Sequence, residues 1–245
     1  MKPRVIIISK KIVIAVVLFI VLAGLFKISD NLASQLWNRQ IFTPGLEGKT
    51  VIIDPGHGGA DPGAIAGKVQ EADVNMDLAV ALKKQLELKG VKVKMTRQDN
   101  IGLVPEKSMT YFERWLILEK RKNYALTEKG HILISIHANS SKDPSVSGGI
   151  VYYSDEKSVR LARELQNQLN TLGPRKREAE QSRFTIIKGN IMPSVLVETG
   201  FITNKHDRKI LISQQNIVVN AVLKGLEKYA AALESPANGG TEEQK

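Results

Sequence analysis

From residue 49 onward, short apolar runs alternate with longer stretches that are apolar every third or fourth position. "TVIID" at 50–54 is a run of β-formers bounded by Asp-Pro and reads as a strand. In "DVNMDLAVALKKQLELKG", Val74, Leu78, Leu82 and Leu86 recur every four residues. That spacing predicts a helix with Asp73 as its N-cap and Gly90 as its stop. "VKVKMTR" alternates Val91, Val93 and Met95, the pattern of a half-buried strand. "YFERWLILEKRKNYALTEKG" reads as a second helix, and "HILISIHAN" as a strand with an unbroken apolar start, hence a central one. "GIVYYS" is another strand, and "EKSVRLARELQNQLNTLG" a helix with Val159, Ala162, Leu165 and Leu169 on one face. "SVLVETGF" is a buried strand, and "QNIVVNAVLKGLEKYAAAL" a closing helix. Strands alternating with helices predict an α/β fold: a single domain with a mostly parallel, twisted sheet covered by helices on both faces. No internal repeat interrupts the pattern.

The flanks differ. "IVIAVVLFIVLAGLF" at 12–26 carries no charge. It is short for a membrane span of about 20 residues and at the upper end of a signal-peptide core of about 7–15. No small-x-small cleavage site follows it, so residues 1–27 are expected to be a retained signal-anchor rather than a cleaved signal. Residues 28–48 read as a stalk, 49–233 as the folded, catalytic domain and 234–245 as a disordered polar tail. Lys2, Arg4, Lys10 and Lys11 precede the apolar run and no acidic residue does. The positive-inside rule then leaves the N-terminus in the cytoplasm and the domain outside it.

Composition narrows the chemistry. The formal net charge is +10 and cysteine is absent. A basic surface suits an anionic partner, either nucleic acid, a lipid surface or an acidic wall polymer. The first is the weakest, because no nucleic-acid motif or interleaving of aromatic with basic residues is present. Without cysteine there is no disulfide and no thiolate, and any metal must be held by histidine and carboxylate.

The chain has only four histidines, and one stands between glycines in "VIIDPGHGGADPGA". His57 follows the strand "VIID", His137 follows "ILISI" and Glu198 follows "SVLV". If these strands are parallel, the three ionisable groups share one edge of the sheet, where α/β folds place their sites. Each has a plainer reading: a turn histidine, a histidine bonded to Ser135 or Asn139, and a buried acid paired with a base. An unpaired buried carboxylate is costly, and a metal or reactive water would offset it. Two histidines and a carboxylate suit catalytic zinc, which keeps one position open. By residue type Asp54, Asp61, Glu71, Asp73 and Glu198 all qualify as the third ligand. Spacing does not choose between Glu71, just ahead of the first helix, and Glu198.

The blocks "IIDPGHGGADPGA", "EADVNMDLA", "VKMTRQD", "ISIHANS", "GGIVYYS" and "VLVETGFITN" occur in this order over residues 49–232. Together they resemble the zinc-dependent N-acetylmuramoyl-L-alanine amidase family, amidase type 3. The resemblance implies a Zn2+ site formed by His57, Glu71 and His137, with Glu198 as catalytic acid/base. It implies hydrolysis of the amide between N-acetylmuramic acid and L-alanine in peptidoglycan. Asp54 is then either a partner of a ligand histidine or a turn cap, and Arg121 either a helix-surface ion pair or a groove residue.

Departures from the family pattern are mild. Thr199 stands where leucine or valine is usual, and Thr203 where serine is usual. "GPRKREAEQSRFTIIKGNIMPS" is less typical and lies where family members shape the substrate groove. "IGLVPEKSMTYFERWLILEKR" is longer than the common form. With the N-terminal segment and no wall-binding repeats, these features resemble the CwlD-type sporulation and germination amidases of endospore formers. Those act on spore-cortex peptidoglycan and help form muramic-δ-lactam. The expected partners are therefore peptidoglycan, the membrane through the N-terminal segment and no nucleic acid. The need for a protein activator is left open. The expected location is extracytoplasmic, towards the wall or spore cortex of a Gram-positive-type bacterium. Competing readings are a zinc peptidase acting within the stem peptide and an inactive wall-binding scaffold.

Overall fold

The computed structural model describes residues 45–99 and 110–234, together with residues 10–11, 19–25 and 27. Its strands are β1 (Thr50–Pro55), β2 (Ile65–Ala66), β3 (Val69–Gln70), β4 (Lys92–Met95), β5 (Ile132–Asn139), β6 (Ile150–Tyr153), β7 (Glu180–Gln181) and β8 (Ser194–Phe201). Its helices are α1 (Glu71–Leu88), α2 (Tyr111–Thr127), α3 (Glu156–Leu169), α4 (Lys205–Ser213) and α5 (Gln215–Glu234). Six strands form one sheet in the order β4-β1-β5-β8-β6-β7, and β2 and β3 form a separate antiparallel pair. β4, β1, β5 and β8 run parallel, whereas β6 pairs antiparallel with β8 and parallel with β7. The expected α/β fold with a mostly parallel sheet is what forms.

Alternation along each strand divides the core. Val51, Ile53, Ile134, Ile136, Val195 and Val197 face the larger apolar cluster, built with α1, α3, α4 and α5. Ile52, Leu133 and Leu196 face the opposite way, into a smaller cluster with Ala125 of α2 and Ile186, Ile187 and Met192. On that second face the next inward positions are polar: Asp54, Ser135, His137 and Glu198. Thin cover on this side leaves room for a groove.

Several elements differ from expectation. α1 begins at Glu71, so Asp73 lies inside its first turn rather than at its N-cap. The N-cap, Gln70, makes no side-chain cap bond. Instead the Glu71 and Ala72 N–H groups donate to the Ala64 and Pro62 carbonyls, at 2.9 and 3.0 Å. The preceding loop therefore satisfies the helix end that a side chain would otherwise cap. In α3 the buried face is carried by Leu161, Ala162, Leu165 and Leu169, with Val159 only half-buried. α4 was not anticipated; Asn204 caps it by accepting from the His206 and Asp207 N–H groups. α5 packs so closely on α3 that a Cβ at Gly225 would stand 2.8 Å from Leu165 Cα.

The chain divides into two units, Met1–Phe42 and Thr43–Lys245. Leu46 is buried in the larger apolar cluster, so the packed domain begins ahead of β1. Residues 10–11, 19–25 and 27 of the first unit are helical. Among the described residues no helix is long and apolar enough to cross a membrane. Much of the run at 12–26, expected as the anchor, lies outside the described residues, as do 28–44 of the expected stalk and 235–245 of the expected tail.

Candidate metal centre

β1 carries the chain to the sheet edge and ends in Asp54-Pro55, and the turn that follows holds His57 at φ +59°. A positive φ is uncommon for a residue with a side chain and persists only when its surroundings impose it. Two buried arginines impose it here. Arg97, just after β4, donates to the carbonyls of Pro55 (2.8 Å), Gly56 (2.9 Å) and Ala72 (3.0 Å). Arg121 of α2 donates to the carbonyls of Pro55 (2.9 Å) and His57 (2.7 Å) and to Asp54 Oδ1 (3.1 Å). Gly58 and Asp61 close the turn by exchanging backbone hydrogen bonds.

Asp54 is therefore the anchor of an arginine rather than the partner of a histidine. Its Oδ1 also accepts from Thr96 Oγ1 (2.5 Å), and its Oδ2 accepts from Ser135 Oγ (2.6 Å). Burial opposes its charge, but the Arg121 guanidinium and the Ser135 and Thr96 hydroxyls outweigh burial and hold the carboxyl below its usual range. Arg121 lines the groove, as one reading from the sequence had it, but its ion pair is made to this buried acid in the interior rather than on the helix surface.

Three ionisable side chains converge above the turn. His57 Nε2 lies 3.1 Å from Glu71 Oε1, and His137 Nδ1 lies 2.9 Å from the same oxygen. The two rings meet edge to face, with centroids 4.9 Å apart. Potential ligand atoms of His57, Glu71 and His137 all lie within 4.8 Å of one another, a cluster able to hold a metal ion. Glu71 gets there because it opens α1 and turns back towards the sheet. Its Oε2 accepts from the Ala64 N–H (2.9 Å), and its Oε1 from Asn75 Nδ2 and the Ala138 N–H (both 3.3 Å). His57 Nδ1 stands 2.9 Å from Asp61 Oδ2, within ion-pair distance but outside hydrogen-bond geometry.

The electrostatics follow from this crowding. Burial works against a charged His57, yet the Asp61 and Glu71 carboxylates beside it raise its pKa to about 9. Burial would raise Glu71, but His137 and His57 hold it well below the carboxylate range. In effect, a protonated His57 offsets the acid's charge here, the role a bound cation would take.

Glu198 lies beside this cluster. It is the register partner of His137, since β8 pairs parallel with β5. Its Oε2 is buried without a hydrogen-bond partner. Burial pushes its pKa up to about 7; His137 and His57 pull the other way and Glu71 pushes further up. The structure thus places Glu71 with the two histidines and sets Glu198 beside them, the choice that spacing left open. Asp73 belongs to the first turn of α1, away from the convergence.

The cluster forms the floor of a groove of about 460 Å³. One wall is α2, through Arg114, Ile117, Leu118 and Arg121. The segment 183–186 (Arg183 to Ile186) supplies the other, within the stretch that departs from the family pattern. Thr199 Oγ1 donates to the His137 carbonyl (2.8 Å), and Thr203 Oγ1 accepts from the Ser141 N–H (3.0 Å). Both departures from the family pattern therefore brace the loops around β5. Sequence reasoning missed Asn75 and the role of Arg97. Asn75 sits one helical turn after Glu71, a spacing that brings side chains together. Arg97 ends an alternating strand, where its charge was open to notice.

Comparison with known proteins agrees with this geometry. A profile of the family described as N-acetylmuramoyl-L-alanine amidase matches residues 51–228. Protein YqiI of Bacillus subtilis is 36% identical over 191 residues, covering 75% of this chain and 86% of YqiI. The germination-specific N-acetylmuramoyl-L-alanine amidase of the same organism is 30% identical over 220 residues, 86% of this chain and 91% of that protein. The solved CwlD amidase of Clostridioides difficile, in complex with the GerS lipoprotein, superposes with a TM-score of 0.70 at 29% identity, over 75% of this chain and 99% of that one. A profile spanning the sheet, the converging cluster and the groove walls leaves one assignment: this chain is an enzyme of the N-acetylmuramoyl-L-alanine amidase family.

Proposed function

We propose that the protein is a zinc amidase in which His57, Glu71 and His137 hold the metal and Glu198 is the catalytic acid/base. The observation that carries this reading is a buried, unpaired carboxylate beside a His-Glu-His cluster at the floor of one groove. The donor set fits zinc, because two imidazoles and one carboxylate with no thiolate match a catalytic zinc site that leaves a position open. Bound zinc supplies a Lewis acid that polarises the carbonyl and lowers the pKa of water. The chain's own residues do the rest. Arg97 and Arg121 fix the His57 turn before any ligand arrives. Glu198, near pKa 7, takes a proton from the attacking water and returns it to the departing alanine nitrogen. The groove's apolar walls limit water around the scissile amide.

The substrate follows from the family: the amide between the lactyl group of N-acetylmuramic acid and L-alanine. A cortex substrate, with muramic-δ-lactam as the downstream mark, is supported by similarity to the germination-specific amidase and to CwlD. The exposed apolar side chains of Phe19, Ile20 and Leu22 support membrane anchoring through the N-terminal segment, with the domain acting outside the cytoplasm. The CwlD structure contains a lipoprotein, so a lipoprotein partner is part of the proposal for this chain.

The test is digestion of purified cortex and vegetative peptidoglycan by the zinc-loaded protein and by two variants. Wild type should free intact stem peptides with an N-terminal alanine and lose activity to a chelator. Glu198→Ala should keep zinc and lose hydrolysis, whereas His57→Ala should lose both. Cleavage inside the stem peptide would mark a peptidase instead. Full zinc occupancy in His57→Ala would sink the ligand assignment. Equal digestion of both substrates would remove the cortex restriction.

A further inference from the structure

The groove walls carry more cationic charge than the reaction centre uses. Arg121 is committed to Asp54 and to two backbone carbonyls. Two other guanidiniums line the groove, Arg114 on the α2 wall and Arg183 on the facing segment. Both are exposed, and neither belongs to an ion pair or a hydrogen bond among the described residues. Arg114 acts on Asp61 only through space, helping to lower that acid after the larger effect of the adjacent His57 and against burial. The acids of the lining are already occupied: Asp61 lies against His57, and Glu198 lies in the reaction centre. The groove therefore presents two uncommitted, fork-shaped donors to whatever enters it.

The substrate's chemistry supplies the matching group. In a peptidoglycan stem the residue after L-alanine is a glutamate joined through its side chain, so its α-carboxylate is free unless amidated. That carboxylate lies about two residues from the scissile amide, roughly 7 Å along the chain. A groove of about 460 Å³ holds a lactyl group and a dipeptide. Ile117, Leu118, Phe184, Ile186 and Leu196 give the methyl groups an apolar lining. Guanidinium binds carboxylate in a planar, two-bonded geometry that a carboxamide cannot reproduce.

We infer that Arg114 and Arg183 form a carboxylate-binding subsite for the departing stem peptide, which makes the enzyme selective for stems whose second residue keeps its free α-carboxylate. This rests on the amidase reading of the groove. The subsite grips the leaving peptide, so it contributes through substrate binding and leaves the chemical step to Glu198.

The experiment compares two synthetic muramyl peptides that differ only in a carboxylate or carboxamide at that position. The zinc-loaded full chain is assayed for release of the alanine amine, with KM and kcat resolved. Wild type should favour the carboxylate substrate by about tenfold or more in kcat/KM, the range for a hydrogen bond to a charged group. Arg183→Gln and Arg114→Gln should each raise KM for that substrate with kcat held and leave the carboxamide substrate unchanged. Arg183→Glu should invert the preference. Both side chains are exposed, so folding is not at stake. Equal turnover of the two substrates by wild type, or equal losses on both in the variants, overturns the subsite. Failure to release amine from either substrate would sink the amidase reading instead. Calorimetric binding of the two free dipeptides to the same protein then decides the carboxylate preference without hydrolysis.

Discussion

His57 and Gly63 show how little slack the centre has. Gly63 has φ +66°, and a Cβ there would stand 2.6 Å from Glu71 Oε2 and 2.8 Å from His57 Cδ2. Gly67 has the same φ with nothing within 4 Å, so it carries the backbone strain without the contact. Gly63→Ala should weaken zinc binding by roughly tenfold or more, as loss of support behind metal ligands does. Gly67→Ala should cost only stability. A competition titration against a chromophoric chelator separates them; equal zinc affinity in the two variants would show that the Glu71 position tolerates displacement. At this scale the sequence was partly legible. His137 and Glu198 stood out because a charged group ending an apolar strand has no packing reason to be there. Glu71 did not, because its role depends on where a helix starts. That start is set by backbone carbonyls at Pro62 and Ala64 rather than by a recognisable cap.

Between elements, the decisive link is the one that ties β1, β4, β5 and α2 around Asp54. Breaking a buried ion pair from one side costs about 3–5 kcal/mol, because the remaining charge is left uncompensated. Arg121→Met should therefore destabilise the domain by about that amount in urea unfolding. Asp54→Asn, Arg121→Met together should recover part of the loss, since contacting residues are not additive. The pH dependence has a definite sign. Asp54 is lowered in the folded state, so its contribution is complete above the unfolded carboxylate range near 4 and is lost as pH falls through the lower folded value. The stability gap between wild type and Asp54→Asn should be wide at pH 7 and narrow below pH ~4; a constant gap would contradict the lowered carboxyl. Apolar residues recurring every three or four positions made α1 and α3 readable at this scale. β2, β3 and β7 have two residues each, too few for any period to register. α4 was announced by Asn204 with Asp207 three residues on, a capping signal hidden because it follows a strand almost directly.

For the whole molecule, the mostly parallel sheet was legible, but sheet order and the direction of β6 were beyond the sequence. The antiparallel β6 carries the same apolar residues a parallel strand would, and its direction depends on the connection from β5. The division at Phe42 and Thr43 leads to a sharper expectation. Every residue of the converging cluster, both clamping arginines and both apolar clusters lie after that boundary. A chain spanning 43–234 should therefore fold, bind zinc and hydrolyse soluble muropeptides with the kcat/KM of the full chain. Zinc at about a hundred times its Kd adds about 2.7 kcal/mol of stability. In a domain of this size that raises Tm by roughly 5–11 °C. A zinc-dependent Tm shift in the truncated chain measures an intact centre independently of activity. The same truncation should abolish membrane association in a cell fractionation if residues 1–27 are the anchor. Normal hydrolysis with unchanged membrane association would move the anchor elsewhere, and a lost zinc shift would mean that residues before 43 contribute to the fold.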